Sequence, residues 1–125
     1  MREPLFHLAL ADEWARACAD GGPYDRSTRG VSLAEQGYVH CSRASQVQGV
    51  ADAWYRDADV VLLVIDPARV GAEIRDEPVP GAPLPFPHVY GPLPLDAVVA
   101  AEPVARGGDG RLDLAPLLDR HRRLP

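Results

Sequence analysis

The sequence has no lysine: all 13 basic residues among its 125 are arginine. That absence excludes Schiff-base chemistry, and with it pyridoxal-phosphate and class I aldolase mechanisms. The phosphate-binding P-loop and the protein-kinase site also require a lysine, so both are excluded. Codon bias toward arginine is the simplest cause, and the exclusion holds whatever the cause. Cysteine is scarce too. Cys18 and Cys41 are too few for a disulfide framework and fit the reduced thiols of a cytoplasmic protein. No apolar run reaches the roughly 18 residues that mark a membrane-spanning helix. Met1-Arg2-Glu3-Pro4 lacks the apolar core of a signal peptide, so a cytoplasmic protein with no membrane partner is expected. An excess of positive charge is missing as well. The net charge of −5 argues against nucleic acid as a partner.

What is present suits one domain. Hydrophobic residues make up 46 % and charged residues 25 %, which is the globular range. A chain of this size buries roughly two-thirds of its unfolded surface and needs no disulfide or metal to hold a core. Thirteen prolines and eleven glycines predict many loops and short strands. Leu5–Leu8 reads as a first strand, followed by a helix from Asp12 with Leu10, Trp14, Ala17 and Cys18 on one face. Ser32-Leu33-Ala34-Glu35 matches a capping box, and Gly37 closes that short helix. Tyr38–Ser42 reads as a second strand. Residues 44–55 read as an amphipathic helix burying Val47, Val50, Ala51 and Trp54, with Ser42 or Ser45 as its N-cap.

Val60–Ile65 is the clearest strand, β-branched and continuous, and is expected to be central and covered on both faces. A strand near Ala72–Glu77, a proline-rich loop at 78–85, a strand at Phe86–Tyr90 and a last edge strand at Ala97–Arg106 follow. Residues 107–125 read as a linker and a short amphipathic tail outside the domain of residues 1–106. Short strands with two real helices, both early in the chain, point to an α+β fold and not to alternating βαβ units. Gly-x-Gly-x-x-Gly is absent, which argues against a doubly wound dinucleotide fold.

Strand alternation places the candidate site. Tyr38, His40 and Ser42 share one face of their strand while Val39 and Cys41 take the other. Phe86, His88 and Tyr90 share a face in the same way, and His7 sits inside the first strand. Three histidines inside strands suggest a shared cleft whose donors, acceptors and rings suit a ribose, a phosphate ester or a nucleobase. His40 and His88 are the candidates for general acid and base, since imidazole titrates near neutral pH. His7, Ser42, Tyr90, Tyr38 and Glu77 are candidate ligand-binding residues, Glu77 being the carboxylate best placed near His88. Arg26 and Arg29 could hold a phosphate.

Other chemistries fit less well. His7, His40 and His88 could supply three zinc ligands, but no closely spaced pair anchors them. A hydrolase built on Cys41 fails because the thiol faces the core. A Ser-His-Asp triad on Ser42 lacks an elbow motif. Glu35 suits the capping box, with a site role left open by its closeness to His40.

Four segments carry a family resemblance: Phe6-His7-Leu8, Ser32–Ser42, Val64–Arg69 and Phe86–Asp96. Through Gly37-Tyr38-Val39-His40-Cys41-Ser42 and Phe86-Pro87-His88-Val89-Tyr90-Gly91-Pro92, the chain resembles domain-of-unknown-function family 952 from about Leu5 to Arg106. The resemblance implies a fold similar to the ADP-ribosyltransferases, a split, strongly bent mixed sheet with two short helices and a cleft that takes NAD. The order of elements is similar to that of the RNA 2′-phosphotransferases, whose two cleft histidines would correspond to His7 and His40. Arg43 and Arg29 are the candidates for the phosphotransferase arginines. Many transferases carry a catalytic Glu where this chain has His88, a departure that argues against the usual route of protein ADP-ribosylation. The expected ligand is NAD or a related ribose phosphate, taken by a glycosyl or ADP-ribosyl transferase or by a non-catalytic binding module. A His-based metal-dependent hydrolase is the weaker alternative.

Overall fold

A computed structural model describes residues 2–125. Strand β1 (Leu5–Leu10) runs directly into helix α1 (Ala11–Ala19). Two short strands follow, β2 (Arg26–Thr28) and β3 (Val31–Ser32), then α2 (Leu33–Gln36) and β4 (Val39–His40). Helix α3 (Val47–Trp54) leads to β5 (Val60–Ile65). The remainder is β6 (Ile74–Glu77), β7 (Phe86–Val89), β8 (Val98–Pro103) and α4 (Ala115–Arg120). The α2 turn forms where the capping box places it. Ser32 accepts from the Glu35 N–H, Glu35 bonds back to Ser32, and Gly37 ends the turn at φ +93°, a left-handed conformation that glycine adopts without a Cβ clash.

The strands make two three-stranded sheets, β1–β5–β8 and β4–β7–β6, and a β2–β3 ribbon. The two larger sheets are joined through a backbone bridge between Phe6 and Ser42. Strand β5 is central and buried at all six positions, because its alternate residues feed two cores. Val61, Leu63 and Ile65 pack with Leu5 and Ala9 against Val39, Cys41 and Val89 of the second sheet. Val60, Leu62 and Val64 pack with Phe6 and Leu8 against Val47 and Ala51 of α3. Strand β8 lies at the sheet edge and ends on Pro103, where a missing N–H costs no ladder bond.

The α+β class holds, and several finer expectations do not. Among the described residues the sheets are not mixed: every strand pairing is antiparallel, as connections without βαβ crossovers produce. Among the described residues there are four α-helices: the two expected, α1 and α3, the short capping-box helix α2, and α4 in the segment expected to be a tail. Neither Ser42 nor Ser45 caps α3, which has no side-chain cap. Gln46 fixes its entry instead, accepting from the Arg43 N–H and donating to the Pro85 carbonyl. Trp54 is 66 % exposed, because the chain leaves helical geometry at Tyr55 and buries that ring in its place. Cys18 is exposed on α1, whereas Cys41 is buried, and both thiols are free.

Residues 107–125, expected to be a linker and tail, pack on the domain. Leu112 and Leu114 are buried in the core beneath α3, with Leu117 and Leu118 of α4 against it. Gln48 of α3 fastens this segment by donating to the Leu112 carbonyl and accepting from the Leu114 N–H. No described helix is long and apolar enough to cross a membrane.

Among the described residues, the Ser27 hydroxyl is the one buried side-chain polar atom without a hydrogen-bond partner. A buried hydroxyl left unpaired costs roughly 1–3 kcal/mol. Ser27→Ala is therefore expected to raise the unfolding free energy by about 1 kcal/mol. Urea unfolding checks this, and a loss of stability would show that the hydroxyl has a partner.

Candidate functional site

Alternation along β4, β7 and β6 splits the second sheet into an apolar face and a polar one. Val39, Cys41, Val89 and Ile74 turn toward the core. The opposite face carries Tyr38, His40, Phe86, His88 and Tyr90, with Arg75 and Glu77 from β6. Register brings them together: His40 lies opposite His88, His88 opposite Arg75, and Phe86 opposite Glu77. The Tyr38 ring stacks on His88 with centroids 3.9 Å apart, and Phe86 lies 4.8 Å from the His40 ring. Gln36 of α2 holds the Tyr38 hydroxyl at 2.9 Å. The arrangement is a sheet face roofed by Tyr38 at His88.

Hydrogen bonds fix the tautomers on this face. Glu77 Oε1 lies 2.8 Å from His88 Nδ1 and accepts from the Tyr90 hydroxyl at 2.5 Å. A carboxylate can only accept, so His88 Nδ1 carries a proton, and in the form without a second proton the ring presents a lone pair at Nε2. His40 Nδ1 lies 3.2 Å from that atom and donates to it. The remaining nitrogen, His40 Nε2, is then an open lone pair. It has no partner among the described residues and is not sealed from solvent. The Tyr90 hydroxyl first, and His88 second, hold the Glu77 carboxyl below its ordinary range. The Tyr90 phenol is shifted up by the same carboxylate. Burial, followed by the neighbouring His88 and His7, lowers His40 to about 4.

His7 stands one step behind this chain. It is buried, at 3 % exposure, with Nδ1 2.7 Å from the His40 carbonyl and Nε2 2.8 Å from the Tyr24 hydroxyl. The carbonyl accepts, so Nδ1 donates and Nε2 accepts from Tyr24. Burial lowers His7 to about 4, opposed by its bond to the carbonyl. It therefore positions the His40 backbone and does not line the open face.

Ser42 is also buried, at 2 % exposure, and its backbone is committed to Phe6. The zinc reading loses its third ligand with His7, and among the described residues no group of three His, Cys, Asp or Glu side chains converges for a metal. Burial pushes the Cys41 thiol up to about 12, as its core-facing position requires. Arg29 is tied to Asp57 and Arg26 lies near Glu13, both away from this face.

The model of the family described as a protein of unknown function, DUF952, matches residues 8–101. The chain belongs to the DUF952 family. It is similar to the crystal structure of protein CC0527 from Caulobacter crescentus at 26 % identity and a TM-score of 0.80, over 93 % of this chain and 98 % of that one. The solution NMR structure of CC0527 gives 28 % identity and a TM-score of 0.74, over 92 % and 96 % of the two chains. No curated protein matches the chain.

Within this DUF952 chain, the structure brings together His40, His88, Tyr38, Tyr90 and Glu77 and sets His7 and Ser42 behind them. Sequence reasoning missed Arg75, whose guanidinium sits 4.6 Å from the Tyr90 ring centroid and pairs with Glu73 at 2.9 Å. The signal was the spacing Glu73-x-Arg75-x-Glu77, which puts Arg75 on the face of Glu77. Tyr24, the partner of His7, was also missed. Its hydroxyl is brought there by the Tyr24–Leu93 bridge, a non-local contact with no local signature.

Proposed function

We propose that the polar face of β4–β7–β6 binds a ribose-phosphate ligand such as NAD and that His40 moves a proton there. The observation that carries this is the directed chain Glu77–His88–His40, which ends on an open Nε2. A proton accepted at His40 Nε2 lets His40 Nδ1–H pass to His88 Nε2, leaving an imidazolium against the Glu77 carboxylate. Removal of charge from the open nitrogen is what a general base needs to pull a proton from an attacking hydroxyl.

In glycosyl transfer from NAD, the bond from the ribose anomeric carbon to the nicotinamide nitrogen breaks and nicotinamide leaves with the electron pair. The acceptor oxygen forms the new bond to that carbon and gives its proton to His40. Glu77 Oε2, which has no partner among the described residues, would offer negative charge to an oxocarbenium-like ribose. A carboxylate beside His88 thus answers the absence of a Glu at position 88. The two three-stranded sheets joined at the Phe6–Ser42 bridge support the reading that the fold is similar to the ADP-ribosyltransferases.

A second reading, ligand capture without turnover, is favoured by the low proton affinity of His40. A base so far below neutral pH is a poorer match for catalysis at pH 7. Calorimetric titration with NAD and ADP-ribose tests the site itself. Saturable binding is expected, weakened about tenfold in His40→Ala, equivalent to one lost hydrogen bond of about 1.4 kcal/mol. If neither compound binds at millimolar concentration, the nucleotide reading falls.

A further inference from the structure

Two adjoining cavities of about 270 and 410 Å³ form one groove between the turn at Ala44-Ser45 and the C-terminal end of α4, and both are lined by Glu3, Ala44, Ser45 and Arg122. Arg43 walls the first and Arg123 the second. We propose that this groove binds the phosphate of a phosphomonoester or diphosphate. The argument is one of charge against background. The lining holds three arginines and two carboxylates, Glu3 and Asp119, with Asp76 pairing Arg43 from outside it, in a chain whose net charge is −5.

The arginines keep donors to spare. Arg43 meets Asp76 through one nitrogen at 2.9 Å, and Arg122 meets Asp119 through one nitrogen at 2.7 Å. A guanidinium has five N–H donors in a planar fork suited to phosphate oxygens, so most remain free. Arg123 has no ion pair among the described residues. Ser45 adds a hydroxyl. The contrasting cavity, about 420 Å³ beside α1, is lined by Asp12, Glu13, Asp20 and Asp25 against Arg16 and Arg26, and would repel the same ligand.

None of the residues lining the groove belongs to the His40 face, and Asp76, the partner of Arg43, lies between Arg75 and Glu77 on β6, so alternation turns it to the other side of that strand. The assignment is therefore of an anion site separate from the proposed site and does not rest on the ribose-phosphate reading. Arg122 and Arg123 lie beyond the family match, which ends at residue 101. The groove is therefore completed by this chain's own C-terminal segment.

The test is an amide NMR titration of the full ¹⁵N-labelled chain with inorganic pyrophosphate, and separately with ADP-ribose. Pyrophosphate is expected to give saturable shifts at Ala44, Ser45, Arg122 and Arg123. Arg122→Gln and Arg43→Gln should each weaken it at least fivefold, and Arg16→Gln should leave it unchanged. Arg122 is largely exposed, so its replacement leaves the packing intact. Shifts absent from the groove, or affinity unaltered in both groove variants, overturn the proposal. Saturable pyrophosphate binding without any ADP-ribose shift on the His40 face upholds the groove and removes the site reading. ADP-ribose shifts on that face without groove shifts do the reverse.

Discussion

His40→Gln is expected to release nicotinamide from NAD about 10²–10⁴ times more slowly than the unaltered protein, the range that loss of a positioned general base produces. The size follows from where His40 stands. It carries the open nitrogen of the face, and the imidazole behind it, His88, is stacked under Tyr38 and out of reach of solvent. No other described side chain in the relay presents a basic lone pair to a ligand. Glu77→Gln should give a smaller loss, because the amide still bonds to His88 but supplies no charge to hold the imidazolium. It should also change the tautomer, since an amide can donate to His88 Nδ1 as well as accept from it. Histidine ¹⁵N shifts read that directly, with Nδ1–H forms expected at His40 and His88 in the unaltered protein. An unchanged rate in His40→Gln, with an unchanged melting temperature, would rule out acid–base work at this residue.

Acidification is expected to cost the fold about 3 kcal/mol between pH 6.5 and pH 4 through His7 alone, at 1.36 kcal/mol for each unit by which its pKa is depressed. Burial holds His7 at about 4 in the folded chain, against 6.5 when exposed. The unfolded state therefore binds the proton first. This stabilisation is complete above pH 6.5, declines as the pH falls, and levels off below 4. His40, lowered for the same first reason, adds in the same direction. Urea unfolding across this range in the unaltered protein and in His7→Gln isolates the effect. A Gln amide can donate to the His40 carbonyl and accept from Tyr24, so the variant keeps both bonds and loses the proton site. Its pH slope should be shallower, and identical slopes would assign the acid sensitivity elsewhere.

Alternation made the candidate face legible because period-two patterning is a property of the strand alone. Tyr38 and His40, Phe86 and His88, and the core-facing Val39 and Cys41 could all be assigned to their sides without knowing the fold. The central place of Val60–Ile65 was legible for a different reason, its unbroken β-branched apolar run, and Glu77 was placed near His88 by its position just before the proline-rich loop that leads into β7. What alternation cannot tell is which face of β1 meets which core. His7 was grouped with the other histidines, yet its side shares the interior with Leu5 and Ala9. The N-cap of α3 was misread because Gln46, not a serine, makes the bonds that fix the entry, one of them to Pro85 far along the chain. Trp54 followed a helical stripe that ends one residue too soon. Antiparallel pairing throughout was not legible either, since it depends on how the connections return.

The leucines beyond the family match carry a practical consequence. The family match ends at residue 101, yet Leu112 and Leu114 are buried in the core that the β1–β5–β8 sheet shares with α3. A fragment trimmed to the matched boundary would take Leu112 and Leu114 out of the cluster of Phe6, Leu8, Leu62 and Val64 and leave α3 as their remaining cover. Expression of the minimal unit should therefore be judged by its solubility, because its cut edge would be an adhesive apolar surface.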